Sequence, residues 1–192
     1  TASCEVALVL FYRAYTYAAD QRSYLDGRYK GYSKWAQSSI YKMDELGLTP
    51  TTLRGKNLRK SITRGDMCKV AMLAYEKANP EYGPFGVTDS PFTDTSDPDY
   101  VAAWALSIVS GFQESDGSFT FRPNETLTRE QFFKITSNYL RVLGLLTDDS
   151  VDVDLADYPD GKTVRQYAKA PTRLLISLGV VGGNSDGTLT PK

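Results

Sequence analysis

The 192-residue sequence contains no histidine. That absence removes the commonest general base and the commonest transition-metal ligand, so histidine triads, His-ligated zinc and most metallohydrolase schemes are closed. Cysteine is scarce as well: Cys4 and Cys68 cannot alone build a thiolate zinc site, and they lack the imidazole that usually activates a catalytic thiol. Neither sign of charge dominates, because 22 Lys plus Arg face 23 Asp plus Glu. A net charge near zero advertises no polyanion partner, so nucleic-acid binding gains no support. No run approaches the ~20 apolar residues that span a bilayer. Even Val6 to Tyr17 is interrupted by Arg13, and membrane insertion is not expected. The sequence also lacks a starting Met and a charged-then-apolar signal segment, which fits a processed secretory protein and an excised piece equally.

What is present reads as a chain that packs. Apolar residues make up 41% and charged residues 23%, ordinary globular values that leave little room for extensive disorder. Internal similarity is the strongest signal. One phrase runs Phe92-Thr-Asp94, an amphipathic stretch through Tyr100, Trp104 and Ile108, then Ser110-Gly111-Phe112, Asp116-Gly117-Ser-Phe119, Pro123 and Leu127-Thr-Arg-Glu-Gln131. An upstream copy runs from Tyr24-Leu-Asp26 through Trp35 and Leu46-Gly47-Leu48 to Ile62-Thr-Arg-Gly-Asp66, without the Asp-Gly turn. A further copy begins near Asp160, passes Tyr167, Leu178-Gly179-Val180 and Asp186-Gly187, and stops at Lys192 before its second helix. The missing helix is read at the other end, where Thr1 to Glu5 precede Val6, Ala7, Val9 and Leu10, either as a circular arrangement of the third copy or as a fragment of a longer array whose first helix belongs to a preceding unit; the circular arrangement is preferred. This predicts a second helix for the last copy in residues 1–20, a first repeat in 21–80, a second in 90–146 and the opening of a third in 155–192.

Local chemistry supports that layout. Thr63 and Thr128 are predicted N-caps, with Asp66 and Gln131 as capping-box partners. Met67, Val70, Ala71 and Ala74, and likewise Phe132, Ile135 and Tyr139, recur at helical spacing. Gly47, Gly111 and Gly179 are each expected to end a first helix with a positive φ. Asp116-Gly117 and Asp186-Gly187 are turn dipeptides followed by short extended pieces.

At Phe92-x-Asp94, Asp116-Gly-x-Phe119, Pro123 and Leu127-Thr-Arg129 the sequence resembles the S-layer homology family, most closely over residues 92–144. The resemblance implies a mainly α fold, three helix-loop-helix repeats in a pseudo-threefold prism with a central three-helix bundle and minor β in loops. It implies a non-catalytic module, without a cofactor, at the bacterial cell surface or wall. The implied partner is secondary cell-wall polysaccharide of the pyruvylated N-acetylmannosamine type, bound in grooves between repeats, with a larger surface protein as the source of the module.

The residues of such a site can also be read physically. A cation in the first helical turn is disfavoured by up to ~1 kcal/mol, so Arg64 and Arg129 call for compensation. A guanidinium beside free helix-start amides suits a carboxylate. Trp35 and Tyr167 stand at corresponding positions, with Tyr100 or Trp104 as the approximate counterpart, and flat rings cover a sugar's apolar face. Asp26, Asp94 and Asp160 can accept sugar hydroxyls, and Gly47, Gly111 and Gly179 allow close backbone approach. In the split copy Ala2-Ser3 is read where Thr-Arg is expected, leaving at most two competent grooves.

Plainer roles compete for each residue. The aromatics can be core, the arginines can pair with acids across repeats, and the aspartates can cap turns. Asp152-x-Asp154-x-x-Asp157 lacks the glycine and terminal Glu of a calcium loop and reads as a solvated linker. Cys4 and Cys68 fall on corresponding helices, so a bridge and two buried thiols both stand open. Rival functions are an interaction scaffold or binder of another glycan, and a carboxylate glycosidase, for which no isolated acid pair is found.

Overall fold

Two threonines open the longest helices. Thr63 Oγ1 accepts the Asp66 amide ahead of a helix at Arg64–Ala78, and Thr128 Oγ1 accepts the Gln131 amide ahead of one at Arg129–Val142. Only Thr128 is shown with both halves of the capping box, because the Gln131 side chain reaches back to its amide at 2.9 Å. The shorter Asp66 side chain instead receives Lys56 Nζ at 2.9 Å. The computed structural model describes residues 3–5, 21–82, 89–145 and 151–192. In chain order the helices are α1 Gln21–Asp26, α2 Gln37–Glu45, α3 Arg64–Ala78, α4 Pro98–Ala105, α5 Arg129–Val142 and α6 Gln166–Ser177. The architecture is mainly α. One small antiparallel hairpin, β1 Phe112–Gln113 with β2 Phe119–Thr120, carries the named strands.

Helices α2, α4 and α6 end alike. Leu46, Leu106 and Leu178 are C-caps, and the next residues, Gly47, Ser107 and Gly179, hold φ of 72°, 61° and 66°. Their amides return to Asp44, Trp104 and Ile176, and the following amides to Met43, Ala103 and Leu175, a Schellman pattern in all three. The expected role of Gly111 is therefore corrected: Ser107 is the left-handed residue. Gly111 is small for another reason, since a Cβ there would lie 2.6 Å from Phe119 and 2.7 Å from Phe92.

The loops between helices repeat a second device. Asp94 accepts the amides of Phe121 and Arg122 at 2.8 and 2.7 Å, and Asp160 accepts those of Leu189 and Thr190, both at 2.7 Å. Asp116 and Asp186 close their turns on Ser118 and Thr188. The upstream copy departs from this. Tyr24-Leu-Asp26 lies inside α1 rather than in a loop, and the Leu58 and Gly55 amides use the Gly31 and Arg28 carbonyls.

Helix α4 packs on α3 and α6 on α5, while α2 meets α1 and α3 touches α5. Met67, Val70, Ala71 and Ala74 of α3 and Phe132, Ile135 and Tyr139 of α5 are buried in one cluster. A smaller cluster of Leu155, Val164, Ala168 and Leu189 pins the acidic connector, where Asp154 caps the Ala156 amide. Residues 155–157 are thus a 3₁₀ turn anchored by Leu155, while Asp152, Asp154 and Asp157 stay exposed, as a solvated acidic linker requires.

Three helix starts are each tied to a loop from elsewhere in the chain. The Cys4 and Glu5 amides donate to Lys60 and Leu58, those of Arg64 and Gly65 to Glu125 and Pro123, and that of Glu130 to Pro191. This sets Ser3-Cys4 opposite Thr63-Arg64, one residue on from the expected Ala2-Ser3. Residues 1, 2 and 6–20, which bear the rest of that expected helix, lie outside the described residues. Among the described residues no helix is long and apolar enough to cross a membrane, and no acidic or thiol cluster could hold a metal ion.

Candidate functional site

Arg64 begins at the unfavourable end of the α3 dipole, and the structure shows what offsets its charge. Its Nε donates to the Phe121 carbonyl at 2.9 Å and its Nη2 to the Ser110 carbonyl at 2.8 Å. The guanidinium lies 4.7 Å from the Phe112 ring centre and 4.9 Å from that of Phe121. Burial lowers its pKa, yet arginine stays charged at any physiological pH. These partners stitch the α4–β1 loop and the segment after β2 onto the start of α3. What sequence reading treats as an exposed receptor is a buried clamp whose edge faces a cleft.

That cleft, about 360 Å³, is lined by Arg64, Ser110, Lys134, Asn138, Arg165 and Tyr167 among others. Lys134 is exposed and has no ion pair among the described residues. Tyr167 is 44% exposed. Partial burial, followed by the charge of Glu130, raises its phenolic pKa. Arg165 is held in place from beneath: Glu130, with 0% exposure, accepts the Arg165 amide at 3.0 Å and pairs with Nη1 at 3.0 Å. Glu5 plays the same part elsewhere, receiving Ser33 Oγ at 2.9 Å. One lysine ammonium, two guanidiniums of which one is buried, and an accessible ring can together engage an anionic sugar.

Lys134, Asn138, Arg165 and Glu130 were missed in sequence reading. A signal existed, since Gln131, Lys134 and Asn138 follow helical spacing along a polar stripe that borders Ile135 and turns away from Phe132. Glu130 carried none, because its burial depends on α6 arriving above it.

A second cleft of about 360 Å³ is lined by Asp44, Gly47, Thr49, Pro50, Lys69 and Asp99. Here Lys69 Nζ is held at 2.8 Å by both Asp97 and Asp99. Partial burial opposes its charge, but these hydrogen bonds outweigh burial and raise its pKa.

The other expected residues are dispersed. Arg129 Nη1 donates to Asn184 at 3.3 Å, and burial lowers its pKa. Its Nε is buried without a hydrogen-bond partner among the described residues. Trp35 is 60% exposed, and it and Tyr167 stand equally far ahead of Leu46 and Leu178. The residue at that distance ahead of Leu106 is Thr95, before α4 begins, so neither Tyr100 nor Trp104 is the counterpart. Tyr100 stacks on Phe121 at 4.8 Å, and Trp104 meets Phe92 edge-on at 6.1 Å. Asp94 and Asp160 are committed to backbone amides, and Asp26 receives the Tyr32 hydroxyl at 2.7 Å. Gly47 and Gly179 are helix terminators, with Gly47 also on the Lys69 cleft. Cys4 and Cys68 are free buried thiols, not a bridge. Cys68 Sγ faces the Asp99 carbonyl at 3.9 Å, while Cys4 sits at a helix start against Lys60.

Comparison with known proteins finds low, partial similarity. The chain is 28% identical over 141 residues to Cell surface glycoprotein 1 of Acetivibrio thermocellus, covering 69% of this chain and 6% of that protein. It is 25% identical over 154 residues to the Surface-layer 125 kDa protein of Lysinibacillus sphaericus, covering 79% and 12%. It is 28% identical over 103 residues to Exoglucanase XynX of Acetivibrio thermocellus, covering 53% and 9%. No protein-family model matches, and no solved structure gives a significant match. The chain is thus similar to cell-surface and surface-layer proteins, of which it spans only a small part.

Proposed function

We propose that this chain is a non-catalytic cell-wall anchoring module of the S-layer homology type, acting outside the cell as part of a larger surface protein. In this reading three helix-loop-helix units form a pseudo-threefold prism, the last unit being completed by residues 1–20. The cyclic tie of three helix starts to three loops, and the packing of α4 on α3 and α6 on α5, support that arrangement.

The ligand is secondary cell-wall polysaccharide bearing pyruvyl carboxylates. The observation that carries this is the cleft joining Arg64, Lys134 and Arg165 to an accessible Tyr167. The carboxylate meets Lys134 and Arg165 while Tyr167 covers the sugar face. Similarity to cell-surface and surface-layer proteins agrees with the location. Titration calorimetry with pyruvylated wall polymer is expected to show binding that falls at least tenfold after removal of the ketal. Equal affinity for both polymers would refute the carboxylate mechanism. A reducing-end assay on the same polymer is expected to show no cleavage.

A further inference from the structure

A further cleft, about 430 Å³, is far from neutral and takes no part in the anchoring groove. Its lining includes Tyr29, Lys30, Tyr32, Lys34 and Arg59, with Asp26 as the acid within it. Two segments of backbone build it. The Lys30 amide donates to the Lys56 carbonyl at 3.0 Å, the Leu58 amide to Gly31 at 2.8 Å, and Arg59 Nη2 to the Tyr32 carbonyl at 2.9 Å. Gly31 lies close against Asn57, where a Cβ would come within 3.0 Å of the side-chain oxygen.

Lys30 also lines a neighbouring cleft of about 340 Å³ with Lys56 and Lys60. The two hollows therefore form one basic track across Lys34, Arg59, Lys30, Lys56 and Lys60. Some of its charge is answered: Lys56 pairs with Asp66 at 2.9 Å, and Arg59 stands 4.0 Å from Glu5. Lys30, Lys34 and Lys60 have no ion pair among the described residues, and all three are exposed. The second segment sets the track apart. The loops corresponding to residues 54–60 carry Asp116 and Asp186 turns with no lysine before Lys192, although Lys162 stands at the position of Lys30. In a chain of net charge −1, these cations are local rather than a consequence of composition.

We infer that this track binds the phosphate groups of a phosphate-bearing glycan at a site separate from the Arg64 cleft. Lysine ammoniums act as point charges suited to phosphate, and the hollow is far larger than one phosphate ion. A track of spaced cations matches a polymer with a repeating anion. Tyr32, half-buried with its hydroxyl on Asp26, offers one ring edge to a sugar. The track lacks the series of exposed rings on which successive nucleobases would stack.

Binding of phosphomannan to the whole chain tests this, read by calorimetry at low and high salt. Phosphomannan is expected to bind and to weaken steeply with salt, while the same mannan stripped of phosphate binds at least tenfold more weakly. Lys30→Gln with Lys34→Gln is expected to lower phosphomannan affinity at least tenfold. A charge-matched control, Lys77→Gln with Lys162→Gln, is expected to leave it unchanged. Both pairs alter exposed side chains, and circular dichroism checks that each variant folds. Inorganic phosphate is expected to compete only at far higher concentration than the polymer. The inference is overturned if phosphomannan does not bind or if stripped mannan binds equally. It is equally overturned if the Lys30/Lys34 variant binds as the parent does, or if single-stranded DNA binds as tightly as phosphomannan. Because phosphomannan carries no pyruvyl group, failure here leaves the carboxylate reading of the Arg64 cleft standing, and the reverse.

Discussion

The Arg64 and Lys69 clefts have the same volume, about 360 Å³, and opposite electrostatic fates. Each sets a lysine of a long helix near a first-helix loop. In one, Lys134 faces solvent beside Arg165, whose acidic partner Glu130 is buried below. In the other, Asp97 and Asp99 rise from the start of α4 and hold Lys69 at 2.8 Å. Asp97 is doubly used, since its carboxylate also caps the Asp99 amide. The helix-start arginine Arg64 lines the first cleft, whereas no helix-start arginine lines the second. A cleft becomes available to an anionic ligand when the protein's own carboxylates lie behind the cations instead of in front of them.

The largest effect expected from this contrast follows from alkali, because a thiol titrates where a guanidinium does not. Burial, with Asp66 adding, pushes the Cys4 pKa from an ordinary 9.0 up to about 12, and burial raises that of Cys68 as well. The folded chain holds these protons more tightly than the unfolded one, so the stability they represent is complete below pH 9 and is lost as pH rises toward 12. The slope is about 1.4 kcal/mol per pH unit for each thiol. Urea midpoints between pH 8 and 11 check this, and Cys4→Ala should flatten the decline.

Next in size is Arg64→Ala, expected to cost about 3 kcal/mol by leaving the Phe121 and Ser110 carbonyls without their charged donor. A cost below about 1 kcal/mol in chemical unfolding would mean that Arg64 is not the clamp its contacts describe. Lys69→Met should follow at about 1–2 kcal/mol, since it strands two carboxylates, while leaving polysaccharide affinity unaltered. Lys134→Gln should do the reverse, changing stability by less than about 0.5 kcal/mol but lowering affinity for pyruvylated polymer about tenfold. Equal behaviour of the two lysine variants in both assays would break the comparison.

Much of the scaffold was legible from residues alone. Thr63 and Thr128 cap as read, the α3 and α5 apolar faces are buried as their spacing predicted, and Gly47 and Gly179 end helices. The failures share a cause. Ser107 adopts the left-handed conformation without being glycine, because the Schellman bonds of Leu106 to Ile108 and the burial of Ile108 enforce it. Gly111 drew attention as a helix terminator, but its smallness answers to Phe92 and Phe119, neither of which is local to it. Tyr100 and Trp104 matched an aromatic pattern by type, yet α4 starts later than α6 relative to its end, which displaces the register. For the site, the arginines and Tyr167 could be named, whereas Lys134 and Glu130 could not be ranked above other charges.

What sequence alone determined is governed by neighbours within a turn or two: the threonine caps, the Asp-Gly turns, the glycine-terminated helix ends and the apolar stripes of α3 and α5. These depend on hydrogen bonds whose partners are close along the chain. Whether a charge is spent or available was decided only by tertiary structure. Arg64 and the Phe121 carbonyl are distant in sequence, as are Lys69 and Asp97, and Glu130 and Arg165. Electrostatic environment depends on which groups packing brings within a few ångströms and on how much water it excludes, and no local pattern encodes either.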